Sequence, residues 1–270
     1  MFRGAGRSGA GGPVNVALSY TVDGPSDGPV LVLGNSLGTT VAMWEPQLPA
    51  LTERFRVVRY DHRGHGGSPV PSGRYRLTDL GGDVLALLDS LGLDRVHLGG
   101  LSLGGMVAMW VAANAPDRVD RLALLCTSAR LGPASMWRER AETVTAQGTG
   151  ALVETLLGRW FTAGFTAARP DVATWAGALV AGTPATGYAG CCAAIETMDL
   201  VPSLGSITAP TLVIAGADDP ATPPEHAEVI AAGIPGARLA VVPDAAHLAN
   251  VEQPEAVTRL LLEHLEGTAR

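Results

Sequence analysis

Lysine is absent from this sequence of 270 residues, and all 19 basic side chains are arginine. The absence excludes enzymes that need a lysine Schiff base, a P-loop lysine or a kinase-type catalytic lysine. Basic residues are also outnumbered by 26 acidic ones, which gives a net charge of −7. A chain with this balance has no extended basic surface for phosphates. We therefore expect neither nucleic acid nor a membrane among its partners.

Cysteine is scarce as well, because the sequence contains only Cys126, Cys191 and Cys192. Their spacing matches no metal-ligand pattern, and adjacent cysteines rarely form a disulfide with each other. The first residues, Met1–Gly12, lack the apolar segment of a secretory signal, and the longest apolar run, Met106–Ala113, is too short to cross a bilayer. We therefore expect reduced thiols, a cytoplasmic location and no bound metal.

Apolar residues are plentiful, at 47% of the chain, and many lie in short β-branched runs separated by segments with helical periodicity. Helices on both faces of a parallel sheet bury such strands completely. The alternation therefore predicts an α/β protein with a largely parallel sheet. The predicted strands are Val14–Ser19, Val30–Leu33, Phe55–Tyr60, Val96–Gly99, Leu122–Cys126, Thr211–Ile214 and Leu239–Val242, and the predicted covering helices are Leu80–Leu91, Leu103–Ala113, Glu225–Ala232 and Pro254–Leu265.

The rhythm changes between Ala129 and Ser203, where helical stretches such as Trp137–Ala146 and Gly150–Trp160 replace the strand-like runs. Ligands of open α/β sheets bind beyond the carboxyl ends of the strands, and an insertion that leaves from such an end lies over the site. We therefore expect three parts. They are a flexible leader at 1–12, an α/β core made of 13–128 and 204–270, and a helical cap at 129–203, called the cap segment below.

The strongest local motif is Gly100-Leu101-Ser102-Leu103-Gly104, which follows a strand-like run and opens a helix-like one. In a G-x-S-x-G sequence with this context, the serine lies on a sharp turn that projects its Oγ, and the glycines permit close packing of strand and helix. A glycine-rich turn without chemistry can carry the same five residues. The partners of Ser102 must therefore decide between the two interpretations.

A serine hydroxyl is a weak nucleophile and needs a general base, which an acid must orient. Asp219 and His247 each lie just past a later strand-like run. The order Ser, Asp, His is that of an α/β-hydrolase triad, so Ser102, Asp219 and His247 are the predicted catalytic residues. Asp218 is the alternative acid, and an aspartate or histidine in a loop can also have a purely structural role.

Attack on a carbonyl also needs donors for the developing oxyanion. In α/β-hydrolases these are the N–H after the nucleophile and an N–H in a loop after an early strand, which correspond here to Leu103 and to Leu37 in the loop Gly34–Gly38. An ordinary turn is the alternative for this loop. His62 and His65 lie in another turn, where we expect packing and local hydrogen bonds rather than catalysis.

Together these residues resemble the α/β-hydrolase family, and more closely its 3-oxoadipate enol-lactonases. The resemblance covers nearly the whole chain and includes Asn35-Ser36-Leu37-Gly38, Met43-Trp44, Tyr60-Asp61, Arg63-Gly64-His65-Gly66, Met136-Trp137 and, as its most specific part, Gly187-Tyr188-Ala189-Gly190-Cys191-Cys192-Ala193-Ala194-Ile195. It implies an α/β-hydrolase fold with a mostly parallel eight-stranded sheet and a helical cap after the sixth strand. It also implies cofactor-free hydrolysis of a small anionic lactone in the β-ketoadipate pathway of aromatic catabolism.

The acetate arm of the implied substrate needs a local cation in a protein of negative net charge, and arginine can grip a carboxylate with two hydrogen bonds. Arg130 and Arg140 are the candidates, and Trp137 and Trp160 are candidate walls of the pocket. Ion pairing in solvent and simple packing are the alternative roles of these side chains.

Two other functions are compatible with parts of this pattern. A general carboxylesterase, or a cofactor-free perhydrolase or haloperoxidase, shares the core motifs and differs in the cap segment. A noncatalytic ligand receptor on the same scaffold is the more distant alternative, because such a protein typically has a broken triad.

Overall fold

A mostly parallel sheet of seven strands forms the centre of the structure, a computed structural model that describes residues 15–267. The strands are β1 (Tyr20–Asp23), β2 (Val30–Gly34), β3 (Arg56–Tyr60), β4 (Val96–Leu101), β5 (Val119–Leu125), β6 (Thr211–Gly216) and β7 (Arg238–Val242). Their order in the sheet is β1-β3-β2-β4-β5-β6-β7. Only β1 runs antiparallel to its neighbour, which is β3.

Helices cover the sheet, so the central strands β4 and β6 are buried along their whole length. The α-helices are α1 (Leu48–Leu51), α2 (Leu77–Ser90), α3 (Leu103–Asn114), α4 (Ala134–Gln147), α5 (Val153–Trp160), α6 (Ala163–Ala168), α7 (Pro170–Gly182), α8 (Ala185–Glu196), α9 (Pro224–Gly233), α10 (Ala249–Glu252) and α11 (Pro254–Leu265). Short 3-10 helices lie at Val41–Gln47, Pro116–Arg118, Thr149–Leu152 and Val201–Ser206. Helix α11 has the predicted bounds because Pro254 suits the first turn of a helix.

The predicted α/β-hydrolase architecture is confirmed, with two corrections to its details. The expected sheet of eight strands has seven in the described residues, so the helical insertion follows the fifth of these rather than a sixth. The predicted strand at Val14–Ser19 was wrong, since residues 15–19 form no strand and β1 begins at Tyr20. Strand β1 is an edge strand with mostly exposed side chains, so it carries no buried apolar pattern. The leader predicted at 1–12 lies outside the described residues.

Five α-helices, α4–α8, fill the connection between β5 and β6, and no strand occurs in this stretch, all of which is described. The predicted helices Trp137–Ala146 and Gly150–Trp160 correspond to α4 and to α5 with the 3-10 turn before it. Helices α4 and α8 pack against each other, as do α5 and α7. Within 15–267, each helix alone is too short or too polar to cross a membrane; α7 and α8 reach the required length and composition only as a pair, bent by 91°.

Helix α8 meets the core where two glycines touch. Gly64, in the turn after β3, has a φ of +78°, and a Cβ placed there would collide with the backbone of Gly187 in α8. A Cβ on Gly187 would collide with Gly64 in turn. The absence of both side chains therefore sets how closely the helical insertion approaches the sheet.

We predict that Gly64→Ala destabilises the protein by about 2 kcal/mol or more, because it adds a steric collision to the strain of a left-handed backbone. Gly148→Ala is the matched control: Gly148 has a φ of +79°, but no atom lies within 4 Å of the position of a Cβ. Urea denaturation of both variants separates the collision from the backbone strain. Equal losses in the free energy of unfolding would show that the contact between Gly64 and Gly187 is not tight.

Candidate active site

Ser102 lies at the sharp turn between β4 and α3, with a φ of 55° and a ψ of −115°. A residue other than glycine seldom adopts a positive φ, and the backbone strain costs about 1–3 kcal/mol. The two glycines of the motif make the turn possible. A Cβ on Gly100 would collide with the backbone of Gly104, and a Cβ on Gly104 would collide with the backbone of Gly34 in β2.

Hydrogen bonds hold the turn from both sides. The Ser102 N–H donates to the carbonyl of Leu125 at the end of β5, at 2.9 Å. The Ser102 carbonyl accepts from the Thr127 hydroxyl at 2.7 Å and from the Met106 N–H at 3.0 Å. With its backbone fixed in this way, the turn directs the Ser102 side chain into a cavity that His247 also lines.

His247 and Asp219 are directly bonded. The Nδ1–H of His247 donates to Oδ2 of Asp219 at 2.8 Å, and both residues are buried. The Thr222 hydroxyl donates to the same carboxylate oxygen at 2.7 Å. The N–H groups of Ala221 and Thr222 donate to Oδ1 at 2.7 and 3.0 Å. This network fixes the carboxylate and, through it, the tautomer of His247 that leaves Nε2 free to accept a proton.

The electrostatics of Asp219 suit an ionised partner for histidine. Burial raises the pKa of Asp219, but the charge of His247 and the hydrogen bonds from His247 and Thr222 outweigh it and hold the pKa below its ordinary value. Asp218, the alternative acid, is exposed. Its neighbour Asp219 is therefore the carboxylate that the fold presents to His247.

Two backbone N–H groups lie beside Ser102. Leu103 is the first residue of α3, where N–H groups have no partner inside the helix. In the loop after β2, the N–H of Ser36 donates to Sδ of Met43 at 3.2 Å, and that of Gly38 donates to Nε2 of His65 at 3.0 Å. The N–H of Leu37 between them makes no hydrogen bond within residues 15–267. Leu37 lines the cavity next to Ser102.

The loop after β2 rests on a buried polar frame from the turn after β3. Nε2–H of His62 donates to the carbonyl of Asn35 at 3.0 Å, and Asp61 accepts from the Val41 N–H at 2.9 Å. Burial lowers the pKa of His62 to about 3 and that of His65 to about 4, so both are neutral at pH 7. These histidines support a loop far away in sequence, which is a larger role than the local one expected for them.

Positive charge lines the cavity beside Ser102 and His247. Arg140 and Arg159 line it, and neither forms an ion pair with a carboxylate of the described chain. The guanidinium of Arg140 lies over the ring of Trp137, 4.7 Å from the ring centre. The remaining lining residues are mainly apolar: Ser36, Leu131, Met136, Leu156, Trp160, Tyr188, Ile195, Ala221 and Thr222.

Tyr188 contributes a further donor to this cavity. Its side chain is completely buried, and its hydroxyl lies beside the guanidinium of Arg140. Burial raises the pKa of this hydroxyl, although the nearby Arg140 guanidinium acts in the opposite direction. Tyr188 therefore presents a neutral O–H to a ligand.

The structure places the predicted substrate-binding residues in two locations. Trp137, Arg140 and Trp160 line the cavity, whereas Arg130 lies outside it, 69% exposed and 3.6 Å from a carboxylate oxygen of Asp199. The expectation that Arg130 faces the pocket is thus corrected. Arg130 lies at the surface after the end of β5, where solvent and the carboxylate of Asp199 stabilise its charge.

Sequence reasoning missed Arg159, Tyr188 and Thr222. Arg159 directly precedes the candidate Trp160, and Tyr188 lies in the most specific segment of the resemblance, so both signals were present. Thr222 follows Asp219 by three residues, a spacing typical of aspartate side chains that cap a turn.

As for metals, no group of three or more His, Cys, Asp or Glu residues in 15–267 is arranged to hold an ion.

Comparison with known proteins identifies the family of this chain. A family model described as alpha/beta hydrolase fold matches residues 29–254. The chain is 40% identical over 242 residues to 3-oxoadipate enol-lactonase 2 of Acinetobacter baylyi, with 90% of each protein covered.

Two solved structures are similar over nearly the full length. A hydrolase from Pseudomonas aeruginosa is 48% identical with a TM-score of 0.90, covering 93% of this chain and 94% of that one. The enol-lactonase from Burkholderia xenovorans is 41% identical with a TM-score of 0.91, covering 93% and 97%. The chain therefore belongs to the α/β-hydrolase family and is similar, within it, to the 3-oxoadipate enol-lactonases.

Proposed function

We propose that this protein hydrolyses 3-oxoadipate enol-lactone to 3-oxoadipate, with Ser102 as the nucleophile. The observation that carries the proposal is one cavity that is lined by Ser102, by His247 bonded to Asp219, and by two arginines without ion-pair partners in the described residues. An acyl-transfer site with local positive charge suits a small anionic ester. The similarity to an enol-lactonase at 40% identity over 90% of the chain supports the same substrate.

In the first half of the reaction, Oγ of Ser102 attacks the lactone carbonyl while Nε2 of His247 takes the hydroxyl proton. Asp219 stabilises the imidazolium that forms, through the bond of 2.8 Å to Nδ1. The carbonyl oxygen becomes an oxyanion, which accepts hydrogen bonds from the N–H groups of Leu37 and Leu103. Both donors are backbone groups fixed by the fold, so they need no reorganisation as the charge develops.

Collapse of the tetrahedral intermediate breaks the bond between the carbonyl carbon and the ring oxygen. The leaving group is an enol oxygen, which departs more readily than a simple alkoxide and takes the proton from His247. It stays attached to the acyl chain because the substrate is cyclic, and its conversion to the ketone disfavours ring closure. Water activated by His247 then hydrolyses the ester on Ser102 and regenerates the enzyme.

The acetate arm of the lactone needs a cationic subsite, and Arg140 and Arg159 are the groups that we assign to it. Both are partly buried on the wall of the cavity, whereas Arg130 lies on the surface beside Asp199. The buried hydroxyl of Tyr188, beside the Arg140 guanidinium, completes the set of donors. Charge-assisted hydrogen bonds of this kind are shorter and stronger than neutral ones, which makes them suitable for selecting an anionic lactone over a neutral ester.

The cap segment supplies most of this subsite, and we propose that it covers the reacting carbonyl. Trp137 and Trp160 form apolar walls, and the arginines extend from α4 and α5.

We also place the protein in the cytoplasm, because its three cysteines are buried free thiols, which suit a reducing compartment.

The direct test follows the ultraviolet absorbance of enzymatically generated 3-oxoadipate enol-lactone, with p-nitrophenyl acetate as the comparison substrate. We expect rapid loss of the lactone and slow cleavage of the ester. Ser102→Ala should lower turnover of the lactone by about 10⁴-fold or more while circular dichroism shows an unchanged fold. A mutant with wild-type turnover would contradict the assignment of the nucleophile, and an inert lactone beside a rapidly cleaved ester would contradict the assignment of the substrate.

The arginine subsite has its own test. Arg140→Gln and Arg159→Gln should each lower kcat/KM for the lactone by about 10- to 100-fold, since each removes a charged hydrogen bond to the carboxylate. Tyr188→Phe should lower it by about fivefold. The control is Arg130→Gln, for which we expect unchanged kinetics. Cleavage of neutral p-nitrophenyl acetate should stay within about twofold in all four variants; parallel losses on both substrates would show that these residues act on the fold rather than on the anion.

A further inference from the structure

The loop that carries His247 is bonded on both sides of the histidine. The N–H of Ala246 donates to Oε2 of Glu252 at 2.8 Å, and the N–H of Leu248 donates to the carbonyl of Trp160 at 3.0 Å. The carbonyl of Ala245 accepts from the N–H of Asp218 at 2.9 Å. The position of His247 therefore depends on three partners outside the triad, of which one, Trp160, belongs to the cap segment.

Glu252 connects to the same part of the cap segment. It is a buried residue of α10, and its Oε1 accepts hydrogen bonds from the Thr162 N–H at 3.0 Å and from the Thr162 hydroxyl. Thr162 in turn caps α6 by accepting from the N–H of Phe165 at 3.3 Å. The carboxylate of Glu252 thus joins the start of α6, which is 90 residues earlier in the sequence, to the residue before His247.

We propose that Glu252 is a positioning residue that couples the cap segment to the catalytic histidine. Residues 160–162 hold the loop of His247 through two connections, one direct from Trp160 and one through Glu252 from Thr162. Arg159 and Trp160 line the cavity just before this point. A ligand that contacts the end of α5 therefore also fixes the base against Ser102. The inference rests on the proposed catalytic role of His247 but not on the identity of the lactone.

The hydrogen-bond donors around Glu252 explain why this position holds a carboxylate. Three donors converge on Glu252: two backbone N–H groups and one hydroxyl. Only a carboxylate offers an acceptor oxygen to each side, whereas an amide of the same shape must direct its NH₂ group at one of the donors. Glu252→Gln is therefore a nearly isosteric change that breaks one connection and keeps the packing.

The experiment measures the second-order rate constant for labelling of Ser102 by diisopropyl fluorophosphate, a small neutral reagent that needs the general base but not the arginines. We expect Glu252→Gln to slow labelling by about tenfold or more, because small displacements of a catalytic group have large effects on rate. Thr162→Val removes the hydroxyl at the cap end of the connection and should slow labelling by about threefold or more. In Glu252→Gln, the low-field proton resonance of His247 Nδ1 should also shift or broaden.

Asp83→Asn is the matched control for loss of a buried carboxylate. Asp83 accepts from Arg63 at 2.6 Å and from the N–H of Val16 at 2.8 Å, and it has no contact with the loop of His247. We expect a lower Tm for this variant with a labelling rate within about twofold of wild type. The proposal is overturned if Glu252→Gln labels at the wild-type rate, if Asp83→Asn slows labelling as much, or if Thr162→Val has no effect.

These outcomes are separate from those that concern the substrate. A wild-type protein that is labelled but leaves the lactone intact contradicts the proposed function, and the comparison of variants still decides the coupling. If Glu252→Gln does not fold, the rate and the His247 resonance of Thr162→Val, measured against Asp83→Asn, decide it instead.

Discussion

The close approach of Gly34, Gly100 and Gly104, where β2, β4 and α3 meet, is the constraint on which the rest of the site depends. A Cβ on Gly100 or Gly104 would collide with backbone atoms. The N–H of Gly104 donates to the carbonyl of Asn35 at 2.9 Å, so the turn of Ser102 and the loop after β2 share one junction. Ser102 and the loop of Leu37, the proposed nucleophile and a proposed oxyanion donor, are thereby fixed relative to each other before any ligand binds, and the packing around them sustains the strained backbone.

The parts of the fold that sequence could predict are those with a local signature. A strand such as β6 is buried on both faces and shows it as a nearly continuous apolar run, and α11 begins at a proline. In the motif around Ser102, two glycines are the local sign of close backbone packing. Strand β1 has no such signature, because its place is decided by backbone pairing with β3 at an exposed edge. A pattern of burial cannot reveal a strand that buries little.

The site divides in the same way. Ser102, Asp219 and His247 follow strand ends, and parallel strands bring their carboxyl ends to one edge, so their positions along the chain predict that they lie at the same edge. Which arginine faces the cavity depends instead on how α4 and α5 lie across that edge. The sequence alone does not distinguish the roles of Arg130 and Arg159. Only the tertiary arrangement shows that Arg130 is exposed to solvent and that Arg159 lies on the cavity wall. The pair of Glu252 and Thr162 has no local signature at all.

The neutral histidines beneath the loop after β2 give the site a particular sensitivity to acid. His65 accepts the Gly38 N–H through Nε2, and a protonated imidazole has no acceptor to offer. The folded pKa values of His62 and His65, about 3 and about 4, lie below the ordinary value of 6.5. Their contribution to stability is therefore complete above pH 6.5 and is lost as the pH falls toward 4, because the unfolded chain binds protons that the folded chain excludes. In acid, proton uptake by the histidines beneath the loop after β2 is thus linked to loss of the native fold.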